Sequence, residues 1–227
     1  MTPTHRPTVV AAVLSVAAGI VAVAIVGDAP AQRQALTIEV AGLSLLAIGY
    51  ATWRRRLRTV GVLLAIGGVS VAVFGLLIGA SEPARITQTL ELLPGMVGLL
   101  VLVGGLLPIR SGWERRLVAV GTGLVFLTVV TSGVVRGTPT TLLLVAAIAT
   151  VLSWDAAEQS ISLGRQMGRE ATTYRSELVH TGSSAFAGVV VIVLAIGVQA
   201  LDVQGLSLSG LVALLMAAVA LSVWIYY

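Results

Sequence analysis

The chain has 227 residues, of which 57% are hydrophobic and 11% charged, and its formal net charge is +4. This composition lies outside the range of soluble globular domains, so we predict one integral membrane domain over residues 1–227. Cysteine and lysine are both absent, which excludes thiolate and disulfide chemistry, lysine Schiff bases and P-loop nucleotide binding.

Long apolar runs recur along the chain between short polar segments. At roughly 15 to 22 residues each, they are long enough to cross a membrane as helices, the shortest with help from its flanks. The runs lie at residues 8–27, 34–53, 59–80, 92–109, 117–135, 140–154, 182–201 and 207–226. We therefore predict an all-α fold, a polytopic transmembrane helical bundle of about eight spans.

The first run has an alternative interpretation as a signal peptide, because Ala29 and Ala31 form a small-x-small site after it. The run is longer than the ~7 to 15 apolar residues typical of a signal-peptide core. We therefore expect an uncleaved first helix.

Glu39, in the second run, is the clearest charge inside a predicted span. It lies roughly 7 Å along the predicted helix from the outer end. Intramembrane carboxylates mark proton or cation sites in transporters, and Arg136, at the outer end of the fifth span, is a candidate partner. The alternative is a structural carboxylate that reaches the outer head groups or forms an ion pair. Glu91 lies near the outer end of its predicted helix, where it should cost little.

The third run contains a continuous stripe of small residues at alternating steps of four and three. The stripe consists of Gly61, Ala65, Gly68, Ala72, Gly75 and Gly79. Such a helix-packing seam lets helix backbones approach closely in lipid. Similar stripes occur in the first run, at Ala12, Ser15, Gly19 and Ala22, and in the eighth. These stripes predict packing within the bundle, and the alternative is that one of them, in the first or the eighth run, docks another subunit.

The second and third arginine-rich corners resemble each other at a spacing of sixty residues. The matching residues are Trp53, Arg55, Arg56, Leu57, Val60 and Gly61 against Trp113, Arg115, Arg116, Leu117, Val120 and Gly121. The helix pair 2 and 3 is therefore a candidate relative of the pair 4 and 5. The alternative is that any two such corners gather Trp and Arg.

The longest segment outside the spans, residues 155–181, is predicted to be a cytoplasmic amphipathic loop. Ala157, Ile161, Gly164 and Gly168 share one helical face, which indicates a helix that lies on the inner membrane surface or extends the sixth span. The candidate partner-binding residues are Asp155, Glu158, Arg165, Arg169, Tyr174, Arg175, Glu177 and His180. The segment is too small for an enzyme domain but large enough to bind a partner. The alternative is a solvated connector with no partner.

Arginine placement predicts the orientation of the spans, because short cytoplasmic loops carry the excess of basic residues. Eleven of the fourteen arginines fall on one side, and Trp53, Trp113, Trp154 and Trp224 fall at the same side. With eight spans, both termini are then cytoplasmic and the protein lies in the cell membrane. The positive charge suits anionic lipid head groups, and we expect no nucleic-acid partner.

No catalytic constellation is evident. The two histidines, His5 and His180, lie outside the predicted spans. We therefore expect no metal site, no cofactor and no catalytic residue.

Two stretches carry a resemblance to a known family, residues 91–137 (ELLPGMVGLL to VVRG) and residues 154–184 (WDAAEQSISLGRQMGREATTYRSELVHTGSS). They resemble a family of haloarchaeal multi-pass membrane proteins whose function is unknown. The resemblance implies a membrane partner role beside a MoxR-type AAA ATPase, and it provides no catalytic residues.

We therefore predict a non-enzymatic membrane scaffold or accessory subunit that docks a cytoplasmic partner, another membrane subunit, or both. The alternative is a small solute or ion transporter or channel that uses Glu39.

Overall fold

A computed structural model describes residues 7–55, 57–81, 86–107, 112–166 and 174–200. All regular structure in these ranges is helical, which confirms the predicted all-α class for them. The helices are α1 (Val9–Val26), α2 (Pro30–Arg54), α3 (Arg58–Ser81), α4 (Ile86–Leu106), α5 (Glu114–Arg136), α6 (Thr140–Gln166) and α7 (Tyr174–Ala200). The predicted eighth span lies outside the described residues.

Six of the described helices are long and apolar enough to cross a membrane, namely α1, α2, α3, α5, α6 and α7. α4 has a shorter apolar stretch, Glu91–Leu106. The chain divides into two compact units, residues 1–189 and 190–227. In the second unit, the described residues form the last turns of α7.

Helix α2 begins earlier than the apolar pattern predicts, at Pro30 instead of residue 34. Proline is favoured at the first helical position, where its missing N–H is not needed. The Gln32 side chain accepts hydrogen bonds from the main-chain N–H groups of Asp28 and Ala29, at 3.1 and 3.2 Å. Local capping thus sets this end, and hydropathy alone does not locate it.

Helix α6 continues to Gln166, well past the predicted end at residue 154, and α7 begins at Tyr174 instead of residue 182. Apolar runs mark the part of a helix that faces lipid, whereas a helix ends where its backbone hydrogen bonding stops. Of the two arrangements expected for residues after Trp154, the structure shows the extension of the sixth span.

Consecutive helices form two tight hairpins, α2 with α3 and α4 with α5, while α1 packs on α6. The Ser15 hydroxyl of α1 donates to the main-chain carbonyl of Ser153 in α6 at 2.6 Å. A Cβ on Gly19 of α1 would lie 3.0 Å from a methyl group of Leu99 in α4. The small-residue stripe of α1 is therefore used inside the bundle.

The stripe on α3 faces α2, so the helix-packing seam is also internal. A Cβ on Gly68 would lie 2.5 Å from the main-chain nitrogen of Leu46 and 2.7 Å from the carbonyl oxygen of Gly42. Further along, Gly75 lies against the backbone of Glu39. Only glycine permits backbones this close, so these residues set the distance between the two helices.

The second hairpin repeats this crossing. A Cβ on Gly121 of α5 would lie 2.6 Å from the nitrogen of Leu102 and 2.8 Å from the oxygen of Gly98. In its contacts Gly121 corresponds to Gly68. In the sixty-residue repeat it corresponds instead to Gly61, which lies about two helical turns from Gly68. The two hairpins therefore share a packing geometry, but the residues that pack alike are not the residues that the sixty-residue repeat aligns.

Helix α4 supplies the centre of the apolar core, where Met96 and Leu99 are fully buried. The main cluster also includes buried residues of the other five helices that surround α4. They are Ala22, Val23, Ala35, Leu36, Leu43, Ala72, Val125 and Ala149, and Leu92 and Val103 of α4 complete the cluster. α4 therefore contacts neighbours on most sides.

Gly67 and Gly68 give a matched test of the seam, because a Cβ on Gly67 would meet nothing within 4 Å. Gly68→Ala should lower the free energy of unfolding by about 1–3 kcal/mol, the usual cost of overpacking. Gly67→Ala should be neutral or raise it by up to ~1 kcal/mol through helix propensity. Denaturant unfolding in detergent micelles measures both, and equal effects would contradict the seam.

Candidate functional site

Glu39 is a fully buried carboxyl in α2. Neither carboxyl oxygen has a hydrogen-bond partner among the described residues. Because α2 begins at Pro30, Glu39 lies roughly 14 Å along the helix from its first residue.

The surroundings of Glu39 are apolar. Ala35 and Leu43, one turn away on either side, belong to the main core cluster, as do Ala72 of α3 and Met96 of α4. Burying an ionised, unpaired carboxylate in such surroundings costs far more than keeping the acid neutral. Neither structural role expected for Glu39, reaching the head groups or forming an ion pair, occurs among the described residues. Its chemistry is that of an acid able to take up or release a proton if water reaches it.

Arg136 has a different partner from the one suggested by the sequence. Its Nη2 lies 2.8 Å from Oε1 of Glu91 in α4, which is 3% exposed. The same guanidinium donates to the Ser132 hydroxyl at 2.9 Å and to the main-chain carbonyl of Val26. Arg136 therefore ties α5 to α4 and to the end of α1.

The importance of Glu91 is missed by the sequence prediction, because α4 begins at Ile86 and not at residue 92. Glu91 consequently lies inside the helix, where its burial requires a counter-charge. An acid and an arginine at the same end of two consecutive spans were the available signal for this pair.

The opposite end of the bundle is called here the arginine-rich end, after Arg54, Arg55, Arg58, Arg115 and Arg116. There α6 continues beyond Trp154, and Ala157, Ile161 and Gly164 on one face are buried. The apolar cluster at this level consists of Leu102, Leu106, Val118, Ala157 and Ile161. The face for which both a membrane-surface helix and an extension of the sixth span were expected is thus covered by α1, α4 and α5 of the same chain.

Charged residues on α5 and α6 tie the same end together. Arg165 lies 3.3 Å from Glu114, and Arg115 lies 3.0 Å from Glu158. Glu114 is 8% exposed and also accepts the main-chain N–H of Gly112 at 2.9 Å. Gly112 has a φ of 91°, a conformation that favours glycine. Glu114 therefore fixes both the turn before α5 and the extension of α6, a role not predicted from the sequence.

Glu177 of α7 caps the N-terminal end of α1. Its Oε2 accepts the main-chain N–H of Ala11 at 2.6 Å, and the residue is 1% exposed. The first N–H groups of a helix lack internal partners and carry partial positive charge, so a carboxylate stabilises them. Next to it, Thr8 and Ser160 exchange two hydrogen bonds, at 3.0 and 2.8 Å.

Asp155, His180 and Ser184 meet between α6 and α7. The His180 Nε2 lies 3.1 Å from Asp155 Oδ2, and the Ser184 hydroxyl donates to the same oxygen at 2.7 Å. In a nucleophilic triad the serine instead bonds to the histidine. This arrangement orients α7 on α6 and does not activate the serine. Among the described residues, no three His, Asp or Glu side chains are grouped to hold a metal ion.

We call the set Glu114, Arg115, Asp155, Glu158, Arg165, Glu177 and His180 the polar junction. It brings together five of the eight predicted partner-binding residues. Tyr174 and Arg175 are exposed beside it, and Arg169, like Gly168, lies outside the described residues. The junction joins α1, α5, α6 and α7 in one arrangement.

Glu177→Ala should lower the free energy of unfolding by about 1–3 kcal/mol, because it leaves the buried N–H of Ala11 without this acceptor. Glu158→Ala, which removes a partly exposed ion pair, should cost at most about 1 kcal/mol. Thermal unfolding in detergent compares the two variants. Equal losses would mean that Glu177 is not a structural cap.

A family model described as Family of unknown function (DUF7519) matches residues 68–222. The match includes Glu91, Arg136 and the whole polar junction, whereas Glu39 precedes it. No curated protein and no solved structure matches the chain. Because the matched residues make up more than half of the chain, the protein belongs to this family of unknown function, DUF7519.

Proposed function

We propose that the protein is a non-enzymatic membrane scaffold or accessory subunit that presents the polar junction to a cytoplasmic partner. The arginine-rich end then faces the cytoplasm of the cell, as the excess of arginine over that end indicates. Both termini lie on that side if the chain crosses eight times.

The braced extension of α6 carries this proposal. A simple connector needs no fixed conformation, yet here ion pairs and hydrogen bonds from three other helices hold the segment in place. A preorganised surface loses little conformational entropy when it binds, which favours protein recognition. The polar junction is thus suited to docking.

Exposed groups beside the junction define the chemistry of the partner. Arg116 and Arg175 are exposed and have no ion pair with any described carboxylate, and Tyr174 is half exposed. Arginine and tyrosine are enriched at protein interfaces. An acidic patch on a cytoplasmic protein would complement them. The sequence resemblance favours a MoxR-type AAA ATPase as that protein.

The small-residue stripes of α1 and α3 support a partner in the membrane less well. Both stripes pack against helices of the same chain, at Gly19 and Gly68 respectively. Another membrane subunit would therefore have to use a different surface. The predicted stripe in residues 207–226 lies outside the described residues.

A photo-reactive amino acid at Arg175 tests the docking proposal. In native membranes it should give one discrete cross-linked adduct, whereas the same group at Val134, which is 82% exposed near the other end of α5, should give none of that mass. Gel mobility and mass spectrometry identify the adduct. Absence of an adduct at Arg175, together with purification of the protein alone, would contradict the proposal.

A second candidate function, proton or cation transport, is favoured by the burial of Glu39 without a described partner. In proteoliposomes a transporter should dissipate an imposed pH or ion gradient faster than protein-free vesicles. Glu39→Gln should then remove most of that excess flux. Ser44→Ala, a polar change on the same helix, should leave it intact. Flux that is absent or unchanged in Glu39→Gln counts against transport.

Stability gives an independent test of Glu39. Glu39→Leu should raise the free energy of unfolding by about 1–3 kcal/mol, because it removes a buried polar group that lacks a described partner. Denaturant unfolding in detergent measures the change. A loss of stability would show that the carboxyl is structurally paired and would weaken the transport candidate.

A further inference from the structure

An apolar groove runs between α1 and α2 toward the arginine-rich end. Leu43 of α2 and Val103 and Leu106 of α4 are buried on its floor, and Val13 and Ala47 are exposed on its rims. Its volume is about 360 Å³. The groove is therefore open along one side, the side that faces lipid if the helices cross a membrane.

The groove follows from the packing of its two walls. α1 and α2 are joined by residues 27–29 but pack on different partners, α6 and α3, so space remains between them at the other end. It extends ~18 Å along α1, from Thr8 to Ile20, and ~21 Å along α2, from Val40 to Arg54. One leaflet of the hydrocarbon core is ~15 Å deep. The groove thus has the length and direction of a lipid chain.

Among the described residues that line the groove, positive charge lies at one end only. Arg54 contributes to the lining, with its guanidinium carbon 6.0 Å from the centre of the Tyr50 ring. It forms no ion pair with a described carboxylate, and Arg55 and Arg58 follow it at the same end. Deeper in the groove, the Ser44 hydroxyl donates to the carbonyl of Val40 at 2.7 Å. The other hydroxyl groups among the described lining residues, those of Thr8 and Tyr50, lie at the arginine-rich end.

We propose that the groove binds one acyl chain of an anionic phospholipid from the leaflet at the arginine-rich end, with the phosphate against Arg54. An apolar tail matches the walls and a negative head group matches the unpaired guanidinium. A zwitterionic lipid would bring an ammonium group toward the same arginines and bind less well. The site is independent of the polar junction and of Glu39.

Spin-labelled lipids test this site in the full-length protein, reconstituted in phosphatidylcholine vesicles. Electron paramagnetic resonance separates lipid immobilised by the protein from mobile lipid. Labelled phosphatidylglycerol should be immobilised about fivefold more strongly than labelled phosphatidylcholine, the effect expected for one basic contact near the surface. Arg54→Gln should abolish this preference, whereas Arg116→Gln, at an exposed arginine away from the groove, should retain it.

A second pair of variants tests the walls. Ala17 lines the groove, and Ala24 lies two turns further along the same side of α1 but not in the groove; both are exposed. Ala17→Trp should fill the groove and remove the preference, and Ala24→Trp should not. Equal immobilisation of the two lipids by the wild type, equal effects of the two arginine variants, or an unaffected Ala17→Trp would each overturn the proposal. Occupation of the groove by residues 207–226 would give the first of these results.

Discussion

Close approach of helix backbones is the constraint on which the rest of this bundle depends. In lipid the hydrophobic effect does not drive helices together, so dispersion contacts along small-residue seams must do much of it. At Gly42 with Gly68 and at Gly98 with Gly121, any side chain would overlap the facing backbone. Because the seams face inward, large apolar residues such as Phe74 are left on the outside, where lipid can contact them.

Polar groups are arranged around that packing according to depth. Glu91 with Arg136 and Glu114 with Arg165 form ion pairs near opposite ends of the bundle, where solvation of the partner lowers the cost of the charge. A buried pair contributes little net stability, but breaking one is costly, so such pairs hold helices in one arrangement. Glu39 has no such role among the described residues, and it is the buried acid whose retention calls for a functional explanation.

Hydropathy and residue spacing predict the helical class and the approximate positions of seven helices, because lipid exposure imposes both length and apolar composition. The small-residue periodicity of α3 also identifies the face that packs on a neighbour. Helix ends and partners are not predictable in this way. The start of α2 depends on the Gln32 cap, and the pairing of Arg136 with Glu91 instead of Glu39 depends on which helices become neighbours. The groove likewise arises because α1 packs on α6 while α2 packs on α3, and the local sequence pattern does not predict this difference.

At one pair of equivalent positions, the two hairpins differ in which helix carries the glycine. In the first, Gly75 of α3 lies against Glu39 of α2; in the second, Gly95 of α4 lies against Thr128 of α5. The glycine thus belongs to the second helix of the first hairpin but to the first helix of the second. In both hairpins the facing residue is polar and fully buried, and its side-chain oxygen has no described hydrogen-bond partner. A glycine on one helix therefore makes room for an otherwise costly polar side chain on the other. The seams that stabilise the bundle thus also make room for buried polar side chains. Of these two side chains, that of Glu39 is the ionisable one.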